Sequence, residues 1–162
     1  MKALIVYSSW FGHNRTLANL VAAELRGRGA EVACAPAWRV RPGQVAGYDL
    51  LVLGTYTHVG RASRWLRALC EQIPQRQLQR MSVAIAGTQV ALAAQPRHPG
   101  GVDDLEACLA ERDCDLTVPP LRIELPGRAT VRPSLGIGPA ERELVRQFVA
   151  DLWEECVAAP LI

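Results

Sequence analysis

Apolar residues along this chain follow two rhythms. Unbroken runs occur at Ala3-Leu4-Ile5-Val6-Tyr7, at Leu50-Leu51-Val52-Leu53 within residues 49–54, and at Ser82-Val83-Ala84-Ile85-Ala86. Runs with no polar alternation mark strands buried on both faces. A shorter strand is expected over 31–35, and a fifth over 116–125, where Pro119-Pro120 confines at least part of it to a sheet edge. Between these runs the spacing changes to that of amphipathic helices. Leu17, Leu20, Val21 and Leu25 fall on one face of a helix over 14–29. Trp65, Leu66, Leu69 and Ile73 do so over 61–73, before Pro74 stops the helix. Leu105, Cys108 and Leu109 mark a helix over 102–112, and Leu144, Val145, Phe148, Leu152 and Trp153 one over 139–155. Residues 37–47 and 126–138 read as connections.

Strands alternating with helices predict an α/β fold, a doubly wound five-stranded parallel sheet. In such sheets ligands sit beyond the carboxyl ends of the strands, where the winding reverses. Polar loops follow strands one, three and four, and in the order 2-1-3-4-5 they surround one crevice. The first, Ser8-Ser9-Trp10-Phe11-Gly12-His13-Asn14 followed by Arg15, links a buried strand to a helix. Helix-start N–H groups and the helix dipole make such a loop a phosphate grip. The plainer reading of the same residues is a βα turn with Asn14 as N-cap. The third loop, 87–101, is long for a compact domain, and long loops are usually functional.

Composition removes other classes. With 162 residues, 49% hydrophobic and 21% charged, the chain is expected to form one domain over 1–162. No apolar run approaches the roughly 20 residues of a membrane span, and Met1-Lys2 leads straight into a strand, so neither a membrane span nor a signal peptide is expected. Five scattered cysteines without a C-x-x-C pair suit free thiols in a reducing cytoplasm. A net charge of +2 does not point to nucleic acid. Zinc binding lacks ligand pairs, and Lys2, the only lysine, cannot complete a Walker motif. Gly-x-Gly-x-x-Gly is absent, and Gly54-Thr55 stands where a response-regulator receiver needs an Asp.

The first loop resembles the flavodoxin family's (Ser/Thr)-x-Thr-Gly-x-Thr phosphate loop, matched by Ser9-Trp10-Phe11-Gly12-His13-Asn14. The stretch Leu51-Val52-Leu53-Gly54-Thr55-Tyr56-Thr57-His58-Val59-Gly60 is similar to the family's second flavin loop, and residues 101–106 to the start of its fourth helix. The resemblance spans nearly the whole chain and implies one FMN, held non-covalently by Ser8 through Arg15, by Thr55 through Gly60, and by Thr88, Gln89, Arg97 and His98. It implies electron transfer or a small flavin-dependent oxidoreductase, with a redox partner protein or a small-molecule electron acceptor. The alternative is a flavodoxin-fold interaction module that has lost or weakened FMN binding. Phe11 offers only its N–H where the family has a phosphate-contacting Thr, His58 stands in place of a stacking Trp, and the third loop lacks the usual acid and Tyr. The candidate rim, Tyr56, His58, Arg61, Arg64, Arg97 and His98, is cationic, so the anionic reduced flavin should be favoured by Coulomb attraction. Trp65 and Trp153 are expected in the core.

Overall fold

The computed structural model describes residues 1–57, 61–90, 100–127 and 136–159. Of the expected site residues, His58, Val59, Gly60, Arg97 and His98 lie outside these. Five strands, β1 (Lys2–Tyr7), β2 (Glu31–Pro36), β3 (Leu50–Tyr56), β4 (Ser82–Val90) and β5 (Leu121–Leu125), form one parallel sheet in the order β2-β1-β3-β4-β5. The helices are α1 (His13–Gly27), α2 (Arg64–Gln72), the short α3 (Gln75–Leu78), α4 (Gly101–Ala110) and α5 (Pro139–Ala158).

Each central strand feeds two cores, because successive side chains leave opposite faces. Ala3, Ile5, Leu50, Val52, Ala84 and Ala86 pack under α1 and α5. Their neighbours Leu4, Val6, Leu51, Leu53, Val83 and Ile85 pack under α2 and α4. Full burial of each large aliphatic contributes about 1.5–3 kcal/mol, which explains why these strands carry no alternation. Winding reverses between β1 and β3, whose register runs Ala3↔Leu50 to Tyr7↔Gly54.

Several boundaries differ from the sequence expectation. β4 continues past Ala86 to Val90, so Thr88 and Gln89 belong to a strand, not to the third loop. The ladder to β3 and β5 carries that extension, pairing Thr88 with Tyr56 and with Ile123. β5 begins at Leu121, after Pro119-Pro120; Thr117 still joins the sheet, its N–H reaching the Val83 carbonyl at 2.8 Å. The connection over 37–47 holds two 3-10 turns, Ala37–Arg39 and Pro42–Gly47. α2 starts at Arg64 behind a Ser63 N-cap, and Trp65, expected in the core, is 49% exposed. Leu144 is exposed as well, whereas Trp153 is partly buried against the α1/α5 core.

Candidate functional site

Gly12 sets the geometry of the first loop. It is the N-cap of α1 with φ 85°, a left-handed conformation that glycine adopts without strain. Asn14, expected as the cap, instead lies inside the first turn and is buried. Its Nδ2 donates to the Ser8 carbonyl at 3.0 Å, closing the loop from within. The first hydrogen bond of the helix is from the Thr16 N–H to the Gly12 carbonyl, 3.0 Å. The N–H groups of His13, Asn14 and Arg15 therefore have no intrahelical acceptor, and no acidic side chain occupies the first turn. Two buried oxygens, Ser9 Oγ and Asn14 Oδ1, find no hydrogen-bond partner. A buried hydroxyl left in that condition costs free energy unless a ligand completes it.

A polar seam ties this loop to the one after β3. The Ser8 N–H donates to the Gly54 carbonyl at 2.8 Å, and the Ser8 hydroxyl donates to Ser63 Oγ at 2.7 Å. Ser63 Oγ also accepts the Trp65 N–H at 3.3 Å, capping α2. Thr57 fixes the third element, its Oγ1 accepting the Gly101 N–H at 2.9 Å. Close approach is needed there: a Cβ on Gly101 would collide with the Tyr56 carbonyl oxygen and press on the backbone of Ala62.

The first loop separates two clefts. The first, about 290 Å³, has Ser9, Trp10 and Phe11 on one side and Tyr56 and Thr57 on another. His13 and Asn14 close the helix end, and Thr88, Val90 and Leu125 the sheet end. Its walls are mainly apolar and aromatic. Trp10 stands edge-on to Tyr56, centroids 6.0 Å apart, and is 63% exposed. The second cleft, about 580 Å³, lies on the other side of the loop and is mainly polar-walled. Arg15 of α1 and Arg39 and Trp38 of the first 3-10 turn line it, with Trp65 opposite. Ser9 and Tyr56 face both clefts.

The expected residues thus divide. Ser9, Trp10, Phe11, His13, Asn14, Tyr56, Thr57 and Thr88 meet in the first cleft, while Ser8, Gly12 and Arg15 line the second. Thr55 is fully buried beneath them, donating to the Tyr56 carbonyl, and neither Thr55 nor Gln89 lines either of these two clefts. Sequence reasoning missed Ser63, which a Ser immediately before a helical pattern signals, and also Trp38, Arg39 and Leu125, which only the fold brings near.

No carboxylate lines either cleft, and all sixteen acidic residues are among those described. The two acids in the first turn of α4 are occupied. Asp104 accepts the Ala62 N–H at 2.9 Å and faces Arg67 at 3.7 Å. Asp103 accepts the Gly100 N–H at 2.7 Å and pairs with Arg122 at 2.9 Å. Desolvation pushes the Asp103 carboxyl upward, but those two donors outweigh it and hold the group below its ordinary value. Burial raises all five thiols, keeping them protonated, and none lines either of these two clefts. Among the described residues no cluster of metal ligands forms, and no helix is long and apolar enough to cross a membrane.

An order 2-1-3-4-5 sheet with an anion-ready strand–loop–helix beside its reversal point defines the flavodoxin-like class of α/β proteins. The chain belongs to the flavodoxin domain family, whose family model matches residues 4–112. Among solved structures it is similar to an archaeal flavodoxin, at 14% identity and a TM-score of 0.77 over 97% of this chain and 99% of that one. Oxidised flavodoxin 2 from Bacillus cereus matches at 22% identity, TM-score 0.72, over 96% and 99%. The rubredoxin:oxygen oxidoreductase of Desulfovibrio gigas matches at 14% identity, TM-score 0.75, over 98% of this chain but 37% of that one. These likenesses establish the fold. No curated protein matches the chain by sequence.

Proposed function

We propose that this chain binds one FMN non-covalently and carries electrons between redox partners, whether a protein or a small-molecule acceptor. The family typically binds FMN, and the residues present fit it. Ser9 Oγ carries the reading, a buried hydroxyl with no partner beside the helix-start N–H groups of Asn14 and Arg15. Those donors would hold the phosphate, chiefly through backbone N–H groups. The first cleft would take the isoalloxazine, which supplies the exchange of one or two electrons when bound. Trp10, Tyr56, Val90 and Leu125 would exclude water from it. Phe11 contributes a wall and a backbone N–H where the family's pattern has a hydroxyl. With no carboxylate in the cleft and Arg61 and Arg64 exposed nearby in sequence, a reduced anionic flavin would meet no acidic wall, which favours a less negative couple.

Ser9→Ala tests the reading with two opposite signs. Removing a buried hydroxyl that lacks a partner leaves the ligand-free chain as stable as before, or slightly more so. The same change removes a hydrogen bond to a charged phosphate and weakens FMN binding about tenfold or more. Urea denaturation and titration by flavin fluorescence quenching measure the two. A wild-type chain that takes up no FMN overturns the proposal. A Ser9→Ala variant that loses stability but keeps its FMN affinity shows that the hydroxyl serves the fold instead.

A further inference from the structure

The geometry points to the second cleft as a binding site for a nucleoside phosphate distinct from FMN. At about 580 Å³ it falls within the size range of small-molecule sites, and it is concave, unlike a flat protein-docking face. Two tryptophans that a fold of this size has every reason to bury stand in it largely open, Trp38 at 60% and Trp65 at 49% exposure. Each is held by a cation. The Arg39 guanidinium lies 4.6 Å from the Trp38 ring centroid, and that of Arg64 lies 5.0 Å from the Trp65 ring. Stacking orients these guanidiniums while leaving their hydrogen-bond donors available.

Charge decides the ligand's sign. Arg15 and Arg39 both line the cleft, and neither forms an ion pair among the described residues, which hold every acidic side chain of the chain. Two unneutralised guanidiniums facing one cavity call for an anion, and guanidinium geometry suits phosphate. The indole rings and Tyr56 supply faces for a planar base, an arrangement that tolerates any base because every base has a π-face. Aromatic faces and paired cations in one concave space match a nucleotide better than inorganic phosphate or a neutral aromatic. The inference does not depend on flavin in the first cleft, since the two spaces share only Ser9 and Tyr56 among their described lining residues.

Calorimetric titration of ADP into the FMN-equilibrated protein tests it. One ADP should bind per chain without releasing FMN. Adenosine and pyrophosphate should each bind at least about tenfold more weakly, because each lacks one half of the recognition. Trp38→Ala and Arg39→Gln alter exposed side chains outside the first cleft. Each should weaken ADP about tenfold with FMN affinity unchanged, whereas the remote exposed Arg80→Gln should change neither. The inference is overturned if ADP does not bind, if it competes with FMN, if pyrophosphate binds as well as ADP, or if Arg80→Gln costs as much as Arg39→Gln. ADP binding that responds to Trp38 and Arg39 in a chain that takes up no FMN upholds this inference while defeating the flavin one.

Discussion

The clefts on either side of the first loop share Ser9 and Tyr56, yet their walls are opposite in chemistry. One is an apolar and aromatic slot between the first loop and the ends of β4 and β5. The other is a polar space walled by arginine and tryptophan from α1, α2 and the turn after β2. The difference arises within one helical turn. His13 and Asn14 face the first cleft while Arg15 faces the second, because each residue of a helix rotates the side-chain direction by about 100°; the Gly12 backbone, just before the helix, also lines the second. A strand–loop–helix motif is usually treated as one phosphate grip; here it is a partition, and each side needs its own test.

The largest effect should come from Gly101→Ala. Its Cβ would meet backbone atoms of Tyr56 and Ala62, which cannot rotate away as a side-chain tip could. A loss of about 3 kcal/mol is expected from overpacking, read by urea denaturation. FMN uptake should fall more than ADP binding, because α4 braces the first cleft through Thr57. Equal losses would mean that the clefts are not separately supported.

Ser63→Ala comes next, at about 2 kcal/mol, since it strips α2 of its cap and leaves the buried Ser8 hydroxyl without its acceptor. This seam lies beneath both clefts, so both ligands should weaken together and Ser63→Thr should restore both. A response confined to one cleft would separate the seam from the other.

Asp103→Asn should have the smallest effect, about 0.5–1 kcal/mol at neutral pH from a weakened α4 cap. The folded carboxyl titrates below its ordinary value. Its contribution is therefore present above the unfolded carboxylate pKa and is lost as pH falls through the lower folded one. Wild type and variant should converge in stability across that acid window, followed by thermal denaturation at several pH values. A gap that persists in acid would assign the effect to packing. ADP binding at neutral pH should be unchanged.

The hydrophobic runs of β1 and β3 were legible in the sequence because double burial leaves no alternation to misread. The sheet order expected with that doubly wound fold is the one observed. Trp65 was misread because its helical spacing matched Leu66 and Leu69, whereas the buried face of α2 is centred on Leu66, Leu69 and Cys70 and leaves Trp65 at its edge. Asn14 was misread as a cap because Asn favours that position in isolation, whereas the left-handed Gly12 takes the role and frees the amide to hold Ser8. Thr88 and Gln89 looked like loop because only pairing with β3 and β5 extends β4 that far. By itself the sequence determined which segments must be buried and where a strand hands over to a helix start, since burial and helix-start donors are local properties. Only the tertiary structure decided that the loop faces a differently lined cleft on each side. The aromatic and cationic residues of the second cleft come from segments far apart in the chain, and no local spacing records their meeting.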